Sequence, residues 1–415
     1  MKRQRVRIDS LYSGLYDGPH ATPKPSDDGP IFLGIGNITV DGQLDLSSVR
    51  HIAEQDFPSW TKRVVPKPGD IVLTYEATLN RYAIIPDGFR GCLGRRLALI
   101  RPDERKVNTR FLFFYFFGED WRRTIRKNTL SGATVDRIPL TALPSFEIDL
   151  LPRPAQDRIS SILSAYDDLI ENNTRRYKLL EQMAQMLYQE WFVNFRFPGH
   201  EKIKMVESEL GPIPTGWSVR SLDSMMDFQG GSQPPKSEWC EEPRPGYVRM
   251  IQIRDYESDN HVGYVKDLKQ LRKCSELDVM IARYGASVAR ICWGLNGAYN
   301  VALVRVVPLI LNLREFLRSF LSSEALQSLL IGMSGRTAQA GFNKSILQAI
   351  KTPFPSDGEL LQRYEEIAGS IRQLELTLKK ANKNLKITRD LLLPRLVSGE
   401  VSVEQLESEA IAQNA

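Results

Sequence analysis

The chain contains two diverged copies of one pattern of roughly 205 residues, a length typical of a globular unit followed by a long helix. Val6-Arg7-Ile8-Asp9-Ser10-Leu11 corresponds to Val219-Arg220-Ser221-Leu222-Asp223-Ser224. Gly69-Asp70-Ile71-Val72-Leu73 corresponds in the same way to Leu277-Asp278-Val279-Met280-Ile281. Two similar units on one chain form a pseudo-dimer, which suits a target that itself has two parts, such as DNA with two half-sites.

Length and charge agree with this arrangement. A chain of 415 residues is too long for one ordinary core, so two globular domains with helical connectors are expected. The formal net charge of +5 is unevenly placed, because basic residues outnumber acidic ones from Arg95 to Arg137 and again from Lys269 to Lys351. This excess favours a polyanionic partner, and the alternative is an ordinary solvated surface.

The cysteines and the apolar runs indicate the compartment. Cys92, Cys240, Cys274 and Cys292 show no C-x-x-C pairing, and the four histidines do not cluster with them. A zinc site is therefore not expected, and reduced thiols are the default. The basic N-terminus lacks the apolar run of a signal peptide, and the longest apolar stretch, at 111–117, is too short to cross a bilayer. The sequence predicts a cytoplasmic protein without a membrane partner.

Local patterns predict the elements of each globular unit. Between residues 31 and 101, short β-rich runs alternate with turn residues, which is typical of antiparallel strands and hairpins. A helix is expected over 108–126, and a strand over 146–151 closes the unit. The second copy repeats this order, with its helix over 313–330. Each unit is therefore predicted to be α+β, with a twisted and mostly antiparallel sheet.

A long helix with apolar residues at alternating spacings of three and four follows each unit, as in a coiled-coil seam. Asn173 belongs to this series, and a single buried Asn commonly fixes register at some cost in stability. The alternative is that each helix packs only on its own domain. The predicted seam consists of Ile162, Tyr166, Leu169, Asn173, Leu180 and Leu187 in the first copy and Ile367, Ile371, Leu374, Leu378, Leu385 and Leu392 in the second.

The length of these helices predicts the arrangement of the chain. About 33 helical residues extend about 50 Å, whereas half-sites one turn of B-DNA apart have centres ~34 Å from each other. An antiparallel pair would place two similar domains at opposite ends, related by a pseudo-two-fold axis. The predicted order is a first domain over 1–152, a spacer helix region over 153–200, a second domain over 201–355, a second spacer helix region over 356–400 and a tail, expected to be flexible, over 401–415.

Several motifs occur in a characteristic order. They include the hairpin leader Gly69-Asp70-Ile71-Val72-Leu73, the turn Gly230-Gly231-Ser232-Gln233-Pro234, and the loop Ser334-Gly335-Arg336-Thr337-Ala338-Gln339 before Phe342-Asn343. The helix ends at 187–195 and 391–400 belong to the same set. Together these motifs resemble the specificity (S) subunit of type I DNA restriction-modification enzymes, and the resemblance covers the chain up to about Val403.

The resemblance implies that each globular unit is a target-recognition domain for one half of a bipartite DNA site. The paired helices would fix the spacing between the domains and dock two methyltransferase (M) subunits. Restriction (R) subunits, which combine translocase and nuclease, would complete the complex. S-adenosylmethionine, ATP and Mg would be bound by those partners, so no cofactor, metal or catalytic residue is expected in this chain.

The sequence independently favours a non-catalytic role. It has no G-x-x-x-x-G-K-[ST] phosphate loop, and Gly34-Ile35-Gly36 lacks the third glycine that a dinucleotide site needs. It also has no Asn-Pro-Pro-aromatic motif, with which amino-methyltransferases hold a flipped adenine. The helices align residue for residue, Leu169 with Leu374 and Leu187 with Leu392, while the globular loops differ. Similar frames with different loops predict an asymmetric site.

The loops after the hairpin leaders, and a second group after the helix of each domain, are the candidates for DNA contacts. Arg pairs with guanine and Asn or Gln with adenine, whereas other basic residues bind phosphates. The alternative for any one of them is an ordinary exposed loop residue. The candidates are Thr78, Asn80, Arg81, Lys127, Ser131, Thr134 and Arg137 in the first copy and Arg283, Tyr284, Ser287, Arg336, Thr337, Gln339, Asn343 and Lys344 in the second.

Two other functions fit parts of the sequence. Asp87, Glu104 and Lys106 match the loose layout of a metal-dependent DNA endonuclease, in which carboxylates hold magnesium and a lysine assists the attacking water. The second copy has no counterpart of this layout. A coiled-coil scaffold without DNA binding is the other alternative. It predicts weak, salt-insensitive association with DNA, whereas domains that neutralise phosphates lose affinity steeply with salt.

Overall fold

The chain divides into two compact units in a computed structural model. Unit 1 consists of Met1–Glu171 and Asn382–Ala415, and unit 2 of Asn172–Ala381. Each unit thus takes a globular domain and parts of both long helices, so this division does not test the predicted domain limits. The structure describes residues 3–131, 135–283, 287–334 and 348–401. The predicted tail lies, from residue 402 onward, outside the described residues.

Unit 1 is built on a four-stranded antiparallel sheet in the order β2-β8-β5-β6. Beside it, β3 pairs antiparallel with β4 and parallel with β7, and β1 pairs antiparallel with β11. The strands are β1 (Gln4–Arg7), β2 (Tyr12–Asp17), β3 (Ser26–Leu33), β4 (Arg50–His51), β5 (Ile71–Thr74), β6 (Tyr82–Ile84), β7 (Gly91–Leu93), β8 (Leu97–Pro102), β9 (Leu130–Ser131), β10 (Asp136–Arg137) and β11 (Glu147–Leu150). The helices are α1 (Phe57–Trp60), α2 (Thr109–Tyr115), α3 (Glu119–Asn128) and the first part of α4 (Arg153–Tyr188).

Unit 2 repeats this order of strands. Its main sheet is β15-β22-β19-β20, a parallel pair β16–β21 lies in a second sheet, and β14 pairs with β23. The strands are β12 (Met205–Val206), β13 (Ile213–Pro214), β14 (Trp217–Ser221), β15 (Met226–Gly230), β16 (Tyr247–Ile251), β17 (Gly263–Lys266), β18 (Lys273–Cys274), β19 (Met280–Ala282), β20 (Ile291–Cys292), β21 (Gly297–Tyr299), β22 (Leu303–Pro308) and β23 (Lys351–Pro355). The helices are α5 (Arg314–Leu321), α6 (Glu324–Ser334) and the first part of α7 (Gly358–Val397). The α+β class and the internal repeat are confirmed.

One acidic residue of the hairpin leader has the same role in both units. The carboxylate of Asp70 accepts a backbone N–H of its own loop at 2.7 Å and receives two hydrogen bonds from Arg101, at 2.8 and 2.7 Å. Asp278 likewise accepts a loop N–H at 2.7 Å and pairs with Arg305 at 3.4 Å. Each Asp therefore closes the loop before a central strand and pairs with an Arg on the neighbouring strand.

The structure shifts the N-terminal alignment of the repeat by one residue. The N–H of Ile8 donates to Phe146 O at 2.8 Å, and the N–H of Leu222 donates to Ile350 O at 2.9 Å. Ile8 therefore corresponds to Leu222, whereas the sequence comparison paired it with Ser221. Each of the two is the first residue of the 3-10 turn that follows β1 or β14. Ile8 and Leu222 are both fully buried.

The two long helices pack antiparallel within each unit, as predicted. In unit 1, Leu163 from the early part of α4 shares a core with Leu396 from the end of α7. In unit 2, Tyr188 from the end of α4 shares a core with Leu361 and Tyr364 from the early part of α7. After Tyr188 the chain continues as one π-helical turn, Gln189–Val193.

The buried line along these helices is displaced by about one residue from the predicted seam. Leu169, Ile367 and Leu374 are exposed by 48%, 39% and 42%, and their neighbours Ile170, Ala368 and Glu375 are buried instead. Asn173 and Leu378 are buried as predicted, and the half-buried members are Ile162, Tyr166, Leu180, Leu187, Ile371, Leu385 and Leu392. One residue rotates a helix face by about 100°. The apolar pattern misplaced the seam because Arg372, Glu375, Asn382 and Arg389 take buried positions on α7.

No helix within the described ranges combines the length and the apolar character that a membrane span requires.

Candidate nucleic-acid interface

The first group of candidate residues lies in the tight loop between β5 and β6. Ala77 and Asn80 both have left-handed backbone angles, with φ of 67° and 60°. Asn is one of the residues that tolerates this conformation. The hydroxyl of Tyr82 donates to Asn80 Oδ1 at 3.2 Å, and Arg81 Nη1 donates to the carbonyl of Ile38 at 3.1 Å. Thr78, Asn80 and Arg81 remain half-exposed on this ordered loop.

The ribbon β9–β10 lies directly beside this loop. The N–H of Ala77 donates to Asp136 O at 2.9 Å, and Glu76 forms an isolated antiparallel bridge with Arg137. Ser131 and Arg137 are exposed on the ribbon. The structure therefore joins two candidate groups that are about fifty residues apart in the sequence.

Lys127 and Thr134 complete the first set of candidates. Lys127 is exposed in the last turn of α3, shortly before β9. Basic residues are favourable there because the carboxyl end of a helix carries partial negative charge. Thr134 lies outside the described residues.

Arg95 and Arg96, in the turn between β7 and β8, are not among the candidates predicted from the sequence. The N–H of Tyr75 donates to Arg96 O at 3.2 Å, so this turn borders the same loop. Arg96 has a left-handed φ of 72°, and its guanidinium pairs with Glu76 at 3.2 Å, while Arg95 is exposed. The adjacent arginines were a signal in the sequence, but their proximity to the loop depends on a pairing that the sequence does not show.

In unit 2 the corresponding loop joins β19 to β20. The N–H of Arg283 donates to Ala302 O at 2.9 Å, and the N–H of Arg290 donates to Ser287 O at 3.0 Å. Arg283 and Ser287 are half-exposed on this one loop. The remaining candidates of the second copy, Tyr284, Arg336, Thr337, Gln339, Asn343 and Lys344, lie outside the described residues.

A cluster of cations around Trp293 anchors the base of this second hairpin. The guanidinium carbon of Arg318 lies 4.8 Å from the centre of the Trp293 ring, and that of Arg372 lies 5.6 Å from it. The ammonium nitrogen of Lys379 lies 4.9 Å from the same centre. Arg318 also donates to the carbonyl of Leu277, just before β19, at 2.6 Å. Both ends of the hairpin are therefore fixed to α5 and α7. Cations over a Trp face gain about 2 kcal/mol or more where they are desolvated.

Arg318 is held in place by an acidic partner inside the cluster. Its Nε donates to Glu315 at 2.8 Å, and both side chains are almost completely buried. Burial lowers the pKa of Arg318, and the adjacent Glu315 opposes this effect. Removing one member of such a pair leaves an uncompensated buried charge, which is costly.

Unit 1 anchors the corresponding hairpin with neutral aromatic residues. The indole N–H of Trp121 donates to the hydroxyl of Tyr82 on β6 at 2.9 Å, and the Tyr82 ring packs on Phe116 at 5.0 Å between centroids. Burial raises the pKa of Tyr82 well above its ordinary value. The two hairpins thus share a fold but differ in the chemistry that holds them.

Two of the three residues of the nuclease alternative, Glu104 and Lys106, have structural partners. Glu104 pairs with Arg153 at 3.6 Å and accepts the N–H of Thr109 at 3.3 Å, at the start of α2. Lys106 lies 3.8 Å from Asp103. Over the described ranges, no group of three or more His, Cys, Asp or Glu residues is placed to hold a metal ion.

Three of the four cysteines, Cys92, Cys274 and Cys292, are buried in the manner of structural residues. Burial raises the pKa of Cys92 and Cys274 to about 12 and that of Cys292 to about 11. Only the thiolate is a strong nucleophile, so burial of these three side chains favours the less reactive thiol form.

Comparison with known proteins identifies relatives across most of the chain. The family described as Type I restriction modification DNA specificity domain matches residues 36–182 and 214–389, once in each copy. The chain is 25% identical over 373 residues to the type I restriction enzyme MjaIX specificity subunit of Methanocaldococcus jannaschii, covering 86% of this chain and 83% of that protein. It is 22% identical over 441 residues to the type I restriction enzyme HindI specificity subunit of Haemophilus influenzae, covering 89% and 94%.

A solved structure shows the same fold. The crystal structure of a type I restriction-modification system S subunit from M. genitalium superposes with a TM-score of 0.63 at 16% sequence identity. The match covers 95% of this chain and 96% of that one.

The Trp293 cluster generates a prediction for stability. Trp293→Leu removes the ring from three cations, so we expect the free energy of unfolding to fall by about 2 kcal/mol or more. Trp293→Phe keeps an aromatic face and should lose less than half as much. Urea unfolding followed by circular dichroism measures both variants. Equal losses for Leu and Phe would show that the ring only fills space.

Proposed function

The chain belongs to the type I restriction-modification DNA specificity family, and we propose that each of its units recognises one half of an asymmetric, bipartite site in double-stranded DNA. Unit 1 would bind one half-site through the loop between β5 and β6 together with the ribbon β9–β10. Unit 2 would bind the other half-site through the loop between β19 and β20. The candidate residues named for each copy are the proposed contacts.

The observation that carries this proposal is the combination of one frame with two different loops. The sheets β2-β8-β5-β6 and β15-β22-β19-β20 have the same order, so the corresponding hairpins occupy equivalent places in their units. Residues 75–81 join β5 to β6, whereas residues 283–290 join β19 to β20, and the two loops share no motif. Different side chains on equivalent loops support recognition of two different sequences.

The proposed contacts divide into two roles. Arg137 and Lys127 are exposed cations that would bind phosphates and position unit 1 on the duplex. Asn80 and Arg81 have the amide and guanidinium groups that pair with adenine and guanine in the major groove. Their loop is already ordered by backbone hydrogen bonds, so little conformational entropy would be lost on binding.

We also propose which partners the chain binds. It would act without catalysis in the cytoplasm, as the DNA-recognition subunit that docks two methyltransferase subunits and the restriction subunits. S-adenosylmethionine, ATP and Mg would be bound by those partners. The exposed apolar residues on the long helices, such as Met183, Met186 and Leu391, support a role of these helices in docking.

Mapping of methylated bases tests this function directly. The chain is co-produced with its methyltransferase subunit, and modified adenines are located in the host DNA. We expect methylation within one two-part motif whose halves differ in sequence. Unmodified DNA, despite a complex that purifies intact, would reject the proposal.

Single substitutions in the first loop test the assignment of half-sites. We expect Asn80→Ala to weaken binding to the mapped site by about 1–3 kcal/mol and to relax selectivity in one half only. Arg137→Ala should weaken binding to all sequences about equally and reduce the salt dependence. Fluorescence anisotropy with duplexes mutated in either half measures both effects.

The matched control is Arg90→Ala, which removes the same charge from an exposed ion pair with Glu54 elsewhere in unit 1. It should leave affinity for DNA nearly unchanged.

The salt dependence of binding distinguishes DNA recognition from the scaffold alternative. Neutralising about six phosphates predicts a loss of roughly 10³-fold in affinity for DNA between 50 and 200 mM salt. Salt-insensitive binding would favour the scaffold.

A further inference from the structure

Charged residues occupy the buried contact between α4 and α7 in unit 1. Arg389 of α7 donates to Asp167 of α4 at 2.5 Å, and these side chains are only 7% and 15% exposed. Nearby, Asn382 Nδ2 of α7 donates to the carbonyl of Ile170 of α4 at 3.0 Å. These contacts need one particular partner on each helix, unlike contacts between leucines.

Unit 2 has a second set of charged contacts between the same helices. Lys379 of α7 donates to Glu181 of α4 at 3.1 Å and to Glu375 of its own helix at 2.6 Å. Glu375 is fully buried and also accepts from Arg372 at 2.8 Å. The charges on α4 at both places are acidic, and their direct partners on α7 are basic.

The internal repeat shows what each helix would meet in a second copy of itself. Asp167 lies two residues before Leu169, and Arg372 lies two residues before Leu374, so these positions align. If α7 paired with another α7, Arg389 would therefore face Arg372. Only the acids of α7 itself, Glu375 beside Arg372 and Asp390 beside Arg389, would then oppose the repulsion between the two buried guanidinium groups, and no acid from the partner helix would lie between them.

Self-pairing of α4 fails for a different reason. Arg389 lies three residues before Leu392, and Ala184 lies three residues before Leu187, so Ala184 would replace Arg389. Asp167 would then be buried opposite a methyl group. A buried carboxylate without its cation costs several kcal/mol.

The ends of the two helices also differ in the volume of the side chains that they bury. Just beyond the end of α4, Phe192 packs in the core of unit 2 against Phe316 and Tyr364, each at 4.9 Å between ring centroids. The aligned residue at the end of α7 is Val397, which is buried in the core of unit 1. Exchange of the two ends would leave a cavity in unit 2 and overpack unit 1.

We infer that this helix contact accepts only the unlike helix, so that α4 pairs with α7 and neither pairs with a second copy of itself. Each molecule in which α4 pairs with α7 then contains one globular domain of each kind. Resting on the proposed function, this means that the chain recognises an asymmetric site and does not assemble into forms that recognise either half-site twice.

The surroundings of Asp167 make its charge a sensitive probe. Burial raises the pKa of Asp167, while the adjacent guanidinium of Arg389 opposes that effect. The other charged groups that face it are Arg110 of α2, Asp168 of α4 and Asp390 of α7, and the cavity of about 380 Å³ beside it is also lined by Asp41, Glu119 and Arg122.

Two substitutions in the full chain reproduce the contacts of self-pairing. Asp167→Arg imitates α7 against α7, and Arg389→Ala imitates α4 against α4. We expect Asp167→Arg to lower the midpoint of thermal unfolding by about 5 °C or more and Arg389→Ala to lower it less. The combined reversal Asp167→Arg with Arg389→Asp should recover most of the loss.

The control is Arg395→Ala on α7, whose ion pair with Glu400 is exposed and should shift the midpoint by less than about 2 °C. If Asp167→Arg alone fails to fold, the double variant Asp167→Arg with Arg389→Asp still tests the inference, because the inference predicts that the double variant folds. A reversal no more stable than the worse single variant overturns the inference, as does an unchanged midpoint for Asp167→Arg.

The pH dependence separates charge from packing. In Arg389→Ala, Asp167 loses its cation, so its folded pKa rises further above the ordinary value of about 3.9. The loss of stability should therefore grow as pH rises above that value and shrink as pH falls. We expect a smaller loss relative to the native chain at pH 5 than at pH 8, and an equal loss at both would contradict a role of charge.

Association of whole chains tests the exclusion itself. Two full-length copies with different tags are co-produced, and one is purified. We expect the second copy to be absent from the native preparation, whereas co-purification of equal amounts would overturn the inference. None of these measurements uses DNA, so a failure here is distinct from a failure of the proposed DNA recognition.

Discussion

The antiparallel contact between α4 and α7 is the constraint on which both units depend. Leu396 and Val397, at the end of α7, are buried in the core of unit 1. Trp191 and Phe192, just beyond α4, are buried in the core of unit 2. Each core is therefore completed by the helix end that belongs to the other copy of the repeat. The apolar surface at these ends is removed from water only when the two helices lie side by side, so helix pairing and domain packing are one event.

This dependence explains why polar residues are retained in the contact. An apolar seam would contribute more stability, but it would not distinguish one helix from its repeat. Asp167 with Arg389, and Glu181 with Lys379, are favourable in only one combination. The repeated sequence creates the risk of pairing like with like, and these buried pairs reduce that risk at some cost in desolvation.

Much of the architecture followed from the sequence, and the errors have physical causes. The repeat, the α+β class and the antiparallel helices were predictable, because apolar periodicity and turn residues are local signals. The predicted seam was wrong by about one residue because the buried residues Arg372 and Glu375 do not appear in an apolar pattern. The approach of the β9–β10 ribbon to the loop at Asn80 was also missed as a contact, because backbone pairing between distant segments leaves no trace in composition.

The most direct test of this account is amide hydrogen exchange in the full chain with Leu396→Ala, a change expected to cost about 2–5 kcal/mol. Leu396 is fully buried. If the end of α7 completes unit 1, exchange should accelerate in β5 and β8 of unit 1, far from the substitution in sequence, and remain unchanged in β19 and β22 of unit 2. Acceleration confined to α7 itself would contradict the account.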